Sequence, residues 1–219
     1  MFCSETLYKR ASVSEKTLLT SALLQAIGAF VASSVRGGAS SVITFNFDTL
    51  LEEHLATLGL VAASVDSFSD WSGGFDLEIL HPHGLLPYDR SRNVSSRGII
   101  FTSYDYNEVL GDQGDRWNQR MLDVFSSYTC VFVGLSGEDD RLIQLMQQAQ
   151  KLHPATLRQG HSYWGVSTMK ESEALPDSLD LWQSRGVLVR TFPDFMGIPD
   201  WLLTICRLAA DLRRTALSL

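Results

Sequence analysis

Two polar residues follow runs of apolar and β-branched residues, at places where a side chain can meet a ligand. Asn46 comes after Val42-Ile43-Thr44-Phe45, and His83 comes after Leu77-Glu78-Ile79-Leu80, with His81-Pro82 between. Open α/β sheets bind ligands at the carboxyl ends of their strands, which is where this pattern puts both residues. An Asn amide presents a donor face and an acceptor face, so it can hold a sugar hydroxyl and orient a water together. Imidazole titrates near neutrality and suits general-base work. Gly84 permits a positive φ or the close approach of a ligand next to His83. His81 competes with His83, because residues at i and i+2 of an extended segment share a face. Asp48 reads in two ways, as a cap for the helix that Thr49-Leu50 begins or as a group in the site. A third run, Cys130-Val131-Phe132-Val133, leads into Gly134-Leu135-Ser136. Its backbone N–H groups and hydroxyl suit a sugar or phosphate, and equally a tight turn in which Ser136 and Asp139 cap the next helix. Together the three segments point to a nucleotide cleft carrying an Asn/His pair.

These residues need elements to hold them. Leu19, Leu23, Leu24, Ile27, Phe30 and Val31 fall on helical spacing, so a helix is expected over 17–34, ended by Gly37-Gly38. A strand follows over 41–45, then a helix over 49–59 with Leu51, Leu55 and Leu58 inward. Ser and Gly dominate 62–76, which reads as a loop or short insertion. Strand Leu77–Leu80 precedes the His-Gly turn. Beyond it come a polar stretch over 87–97, a strand over 98–102, and a helical stretch over 104–127 interrupted around Gly111–Gly114. Trp117, Met121, Leu122, Val124 and Phe125 form its apolar face. A strand over 129–134, a helix over 139–152 with Leu142, Leu145, Met146 and Ala149 inward, and strands over 162–167 and 186–191 follow. A final helix is expected over 199–216, with Pro199 in its first turn and Leu202, Ile205, Leu208 and Leu212 inward. Alternating strands and helices imply an α/β, Rossmann-like fold: a mostly parallel sheet with helices on both faces. The chain reads as one domain over 1–219, with residues 1–40 a helical lead-in.

Composition narrows the function classes. There are 18 basic against 25 acidic residues and a net charge of -7, which argues against a nucleic-acid surface. Three cysteines, Cys3, Cys130 and Cys206, cannot make a four-cysteine zinc site, and Cys130 reads as a buried reduced thiol. His81 and His83 lack a third ligand at motif spacing, so no metal is expected. His54, His153 and His161 have no motif partners, and the five tryptophans read as packing. Reduced thiols and the absence of a signal-like N-terminus suggest the cytoplasm. No run of about 18 apolar residues offers a membrane span. Neither a Walker phosphate loop nor a Gly-x-Ser-x-Gly elbow is present.

In order and spacing, these motifs resemble the sirtuin (silent-information-regulator) superfamily, and more closely the sirtuin-like domains of bacterial antiphage defence proteins. Thr44-Phe45-Asn46-Phe47-Asp48 with Leu50-Leu51-Glu52 matches the family's Thr-x-Asn-x-Asp strand end and acidic helix. His83-Gly84 matches the His-Gly turn, with His81 fitting the defence-type variant. Gly134, Ser136 and Asp139 match a Gly-x-Ser-x-x-Asp turn, and Phe101–Asn107 resembles an intervening Thr- and Tyr-containing turn. The likeness runs from about residue 20 to the C-terminus. It implies NAD as the ligand and substrate, Asn46 orienting the nicotinamide ribose or the attacking water, and His83 as general base. Thr44, Phe45, Asp48, Gly84, Gly134, Ser136 and Asp139 would line the nucleotide. The activity implied is hydrolysis of NAD; the zinc cysteines of deacylating sirtuins are absent, which sets protein deacylation behind it. Residues 1–40 lack the family's Gly-Ala-Gly-x-Ser phosphate loop, and Gly37-Gly38-Ala39-Ser40 stands directly ahead of the Asn strand. The chain thus resembles a family member without its first β–α unit, the missing piece being lost, misannotated, or supplied by a second copy or a separate chain. The alternative is a degenerate module that binds a nucleotide or a protein without turnover.

Overall fold

The computed structural model describes residues 8, 14–33, 39, 41–66, 75–88, 99–100, 112–137, 139–153 and 163–217. The chain divides into two compact units, Met1–Gly114 with Pro199–Leu219, and Asp115–Ile198. Each is α/β, with one three-stranded, wholly parallel sheet, and the Rossmann-like expectation holds in that form.

The first unit opens on helices α1 (Glu15–Thr20) and α2 (Ala22–Ala32). The single helix expected over 17–34 is broken at Ser21. There the Ser21 hydroxyl accepts from the Leu24 N–H at 3.4 Å while its own N–H closes α1 on the Thr17 carbonyl at 3.0 Å. The break turns the stripe: Leu18 and Ala26 are buried, whereas Leu19 and Leu23 are exposed. Strand β1 (Ser41–Ile43), helix α3 (Leu50–Thr57), β2 (Ala62–Val65) and β3 (Leu77–Leu80) follow. Strand β2 lies where a loop was expected. Its Ala-Ala-Ser-Val sequence is short and weakly apolar, and pairing to β3, with Ala62 opposite Leu77 and Val65 opposite Leu80, makes it a strand. Strand β3 is therefore central, flanked by β1 and β2. Leu55, Leu77 and Ile79 form its buried core, with Val31, Val42, Leu51, Leu60 and Ala62 packed against them. Burying a Leu or Ile side chain stabilises by about 1.5–3 kcal/mol, so this small cluster anchors β3 and α3 together. Leu58 lies outside it, exposed at the end of α3.

Helix α4 (Asp112–Ser127) begins within the segment where an interruption was expected and runs through Gly114, while residues 104–111 lie outside the described residues. Trp117, Met121 and Phe125 are buried on its inner face. The second unit then runs β4 (Cys130–Phe132), α5 (Asp140–Leu152), β5 (Gly165–Lys170), a short 3-10 turn, α6 (Pro176–Gln183) and β6 (Val187–Phe192). Strand β5 is central between β4 and β6. It starts three positions later than the aromatic run Tyr163-Trp164 suggests, because Gly165 pairs with both Cys130 and Val187. Phe125, Phe132, Trp164 and Trp182 pack as a ring cluster with centroids 5.3–5.9 Å apart. His153 stacks on Trp164 at 5.5 Å, so these residues are packing, as expected of them. Helix α6 was not expected; its start signal is Pro176 in the first turn. The last helix, α7 (Gly197–Leu217), buries Leu202 but leaves Leu208 exposed.

No described helix is long and apolar enough to cross a membrane. Cys3, His161, the strand expected over 98–102 apart from residues 99 and 100, and the turn Phe101–Asn107 lie outside the described residues.

Candidate functional site

The carboxyl ends of β1 and β3 run on side by side. The Thr44 N–H donates to the Leu80 carbonyl at 2.9 Å, the Leu86 N–H to the Phe47 carbonyl at 2.6 Å, and Asp48 bridges Leu86 in parallel. Between these ties sits Asn46. Its N–H donates to the Thr44 hydroxyl at 3.2 Å, and its carbonyl lies 3.2 Å from His81 Nδ1. The backbone of Asn46 is thus held on both sides while the residue itself is exposed.

The two histidines separate. His81 is fully buried and meets the buried Glu52 carboxylate, with Nε2 2.7 Å from Oε1. It is therefore no cleft-lining base. His83 is half-buried, its ring 5.0 Å from that of Phe45 and tilted by 59°. The turn between them closes when the Gly84 N–H donates to the His81 carbonyl at 3.0 Å, with φ 87° at Gly84. Phe45 and His83 thus come into contact, next in sequence to Asn46 and Gly84.

Asp48 makes the contact of the helix-start reading. Its Oδ1 accepts from the Leu50 N–H at 3.2 Å. Thr49 is buried, and its hydroxyl accepts from the Tyr88 N–H at 2.9 Å, which ties α3 to the segment after the His-Gly turn. The Tyr8 hydroxyl joins the same corner, donating to the Leu86 carbonyl and accepting from the Thr49 N–H at 3.1 Å. Burial first of all raises the Tyr8 pKa, against the opposing effect of its bonds to Thr49.

Gly134, Ser136 and Asp139 belong to the second unit. Gly134 has φ 70° and is exposed, and a Cβ placed there would meet nothing within 4 Å. Gly137, which the sequence reading passed over, is different. A Cβ there would come within 2.8 Å of Leu181 and Trp182, so Gly137 serves close packing against α6. Asp139 caps α5, its Oδ1 accepting from the Leu142 N–H at 2.8 Å. Ser136 is exposed.

Two residues that the sequence reading left unassigned complete the first unit's polar core. The Glu52 carboxylate accepts from the Ser64 hydroxyl at 2.9 Å as well as facing His81. Glu52 lies three residues before the buried Leu55 on α3, and that spacing is the signal that would have placed it inward. Among the described residues, no group of three or more His, Cys, Asp or Glu side chains could hold a metal ion.

A search of the curated proteins finds no match to this chain. A family model described as SIR2-like domain matches residues 40–189, which take in the Asn46 strand end, the His83-Gly84 turn and the Gly134-x-Ser136 segment. With most of its length matched, the chain belongs to the SIR2-like domain family.

Proposed function

We propose that this SIR2-like domain hydrolyses NAD to nicotinamide and ADP-ribose. Membership of a family of NAD-using domains supplies the substrate class. The observation that carries the chemistry is Asn46: an exposed amide on a backbone fixed through both its N–H and its carbonyl, one residue from the Phe45 ring that packs on His83. Nicotinamide in NAD is a cationic leaving group and departs without a proton donor. As the C–N glycosidic bond breaks, its electron pair neutralises the pyridinium, and the ribose carbon takes on oxocarbenium character. Water then bonds to that carbon, and its proton passes to His83 and on to solvent. The Asn46 amide would accept from a ribose hydroxyl or the water while donating to the other. Thr44, Phe45, Asp48 and Gly84 would shape the surroundings of Asn46; in the second unit, the open backbone at Gly134 and the Ser136 hydroxyl, near Asp139 in sequence, would suit a sugar or phosphate.

In this reading the biological outcome is NAD depletion in the bacterial cytoplasm, as in antiphage defence. The test is nicotinamide release from NAD, followed by chromatography. Asn46→Ala and His83→Ala are each expected to lower turnover by roughly 10²–10⁴-fold. Turnover unchanged in both would remove the pair from the mechanism. Tight ADP-ribose binding by a wild-type chain that never releases nicotinamide would instead establish the non-catalytic reading.

A further inference from the structure

His81 and Glu52 have no part in the chemistry just described, yet they form the most completely buried polar assembly among the described residues of the first unit. His81 is 0% exposed and Glu52 4%. We propose that they are positioning residues: a buried clamp that fixes the Asn46 backbone so that its side chain is presented in one orientation. The catalytic consequence rests on the NAD-cleaving reading; the positional one does not.

The argument begins with hydrogen inventory. The Asn46 carbonyl can only accept, so the His81 Nδ1 facing it at 3.2 Å carries a hydrogen. The other ring nitrogen faces Glu52 Oε1 at 2.7 Å, so a second proton lies between ring and carboxylate. The ring is thereby held at both nitrogens and cannot turn without breaking a buried contact. Glu52 is fixed in turn by the Ser64 hydroxyl at 2.9 Å. The chain of contacts runs from β2 through α3 to the end of β3 and finishes on the carbonyl of Asn46, just beyond β1. Four segments distant in sequence therefore converge on one peptide unit, and that unit carries the exposed amide. A buried polar network specifies a single arrangement when all its members are partnered. A small misplacement of a group that orients substrate is enough to cost orders of magnitude in rate.

Substitutions at His81 separate positioning from simple core support, because the two amides imitate different halves of the ring. Asparagine places its NH₂ near the site of Nδ1, and glutamine places its own near Nε2. His81→Asn therefore keeps the bond to Asn46, whereas His81→Gln keeps the bond to Glu52 and releases Asn46. Peptide-resolved amide hydrogen exchange on the full chain reads the difference. In His81→Gln, exchange over 44–48 is expected to quicken roughly tenfold relative to 77–80, while His81→Asn stays near wild type. In NAD cleavage, His81→Gln is expected to lose roughly tenfold or more in kcat with KM little changed, and His81→Asn to recover most of it. Equal behaviour of the two variants, in exchange or in kcat, overturns the proposal. Should either fail to fold, Glu52→Gln decides. With its NH₂ at the place of Oε1, the carboxamide can donate one hydrogen to His81 Nε2 and the other to the Ser64 hydroxyl, leaving Nδ1–H on Asn46, so wild-type exchange over 44–48 is expected and a selective increase there overturns the clamp. A wild-type chain that does not cleave NAD sinks the proposed function, and the exchange comparison still decides this inference.

Discussion

Asn46, Asp48 and Asp139 all stand just beyond strands, yet they do different work. The carboxylates of Asp48 and Asp139 accept from the N–H groups that open α3 and α5. The Asn46 side chain is left exposed and is not drawn into capping, since its own N–H is met by the Thr44 hydroxyl and its carbonyl by His81. Asp139→Ala is therefore expected to cost about 1 kcal/mol of stability, read as a lower melting temperature, as for other lost helix caps. Glu52→Leu should cost more, about 1–3 kcal/mol in chemical denaturation, because it removes a buried hydrogen-bond partner of both His81 and Ser64. Cys130 gives a pH prediction. Burial pushes its thiol from 9.0 up to about 12. A raised folded pKa means that the stability it contributes is fully present below pH 9 and is lost as pH rises toward 12. Denaturant midpoints should fall over that window in the wild type and fall less in Cys130→Ala.

At the scale of elements, two neighbouring glycines contrast, one open and one packed. Gly134 and Gly137 share positive φ, at 70° and 76°, but only Gly137 is crowded. Gly134→Ala is expected to cost about 1–2 kcal/mol from backbone strain alone. Gly137→Ala adds a collision with Leu181 and Trp182, so a total of about 3 kcal/mol or more is expected. Differential scanning calorimetry of the two variants checks the order. The same loop shows what sequence pattern can and cannot reach. A Gly after an apolar run marks a turn, but the rings it packs against come from α6, far along the chain. Strand β2 and helix α6 escaped the pattern for a related reason. Neither carries a long periodic signal, and each is fixed by a neighbour, β2 by its ladder to β3 and α6 by the burial of Trp182.

For the whole molecule, the NAD reading predicts linkage between ligand and folding. ADP-ribose at about 100 times its dissociation constant should stabilise the chain by about 2.7 kcal/mol, seen as a rise in melting temperature. Asn46→Ala should diminish that rise, whereas the exposed Leu208→Ala on α7 should leave it intact. The parallel α/β class was legible without coordinates, because buried strands write continuous apolar runs and helices write a 3.6-residue stripe into local sequence. So was the position of Asn46, His83 and Gly134-x-Ser136 at strand ends, since each lies within a few residues of the pattern that announces its strand. The reading could not tell His81 from His83, nor see that Glu52 turns inward. Two histidines separated by one residue look alike in sequence. They differ only because Glu52 and the Asn46 carbonyl close around His81, while Phe45 leaves His83 half-open. Burial and partnering of a polar group depend on segments brought together from across the chain. That is why the sequence alone determined the fold class and the residues with chemical potential, and why tertiary structure alone decided which of them faces outward and which holds it there.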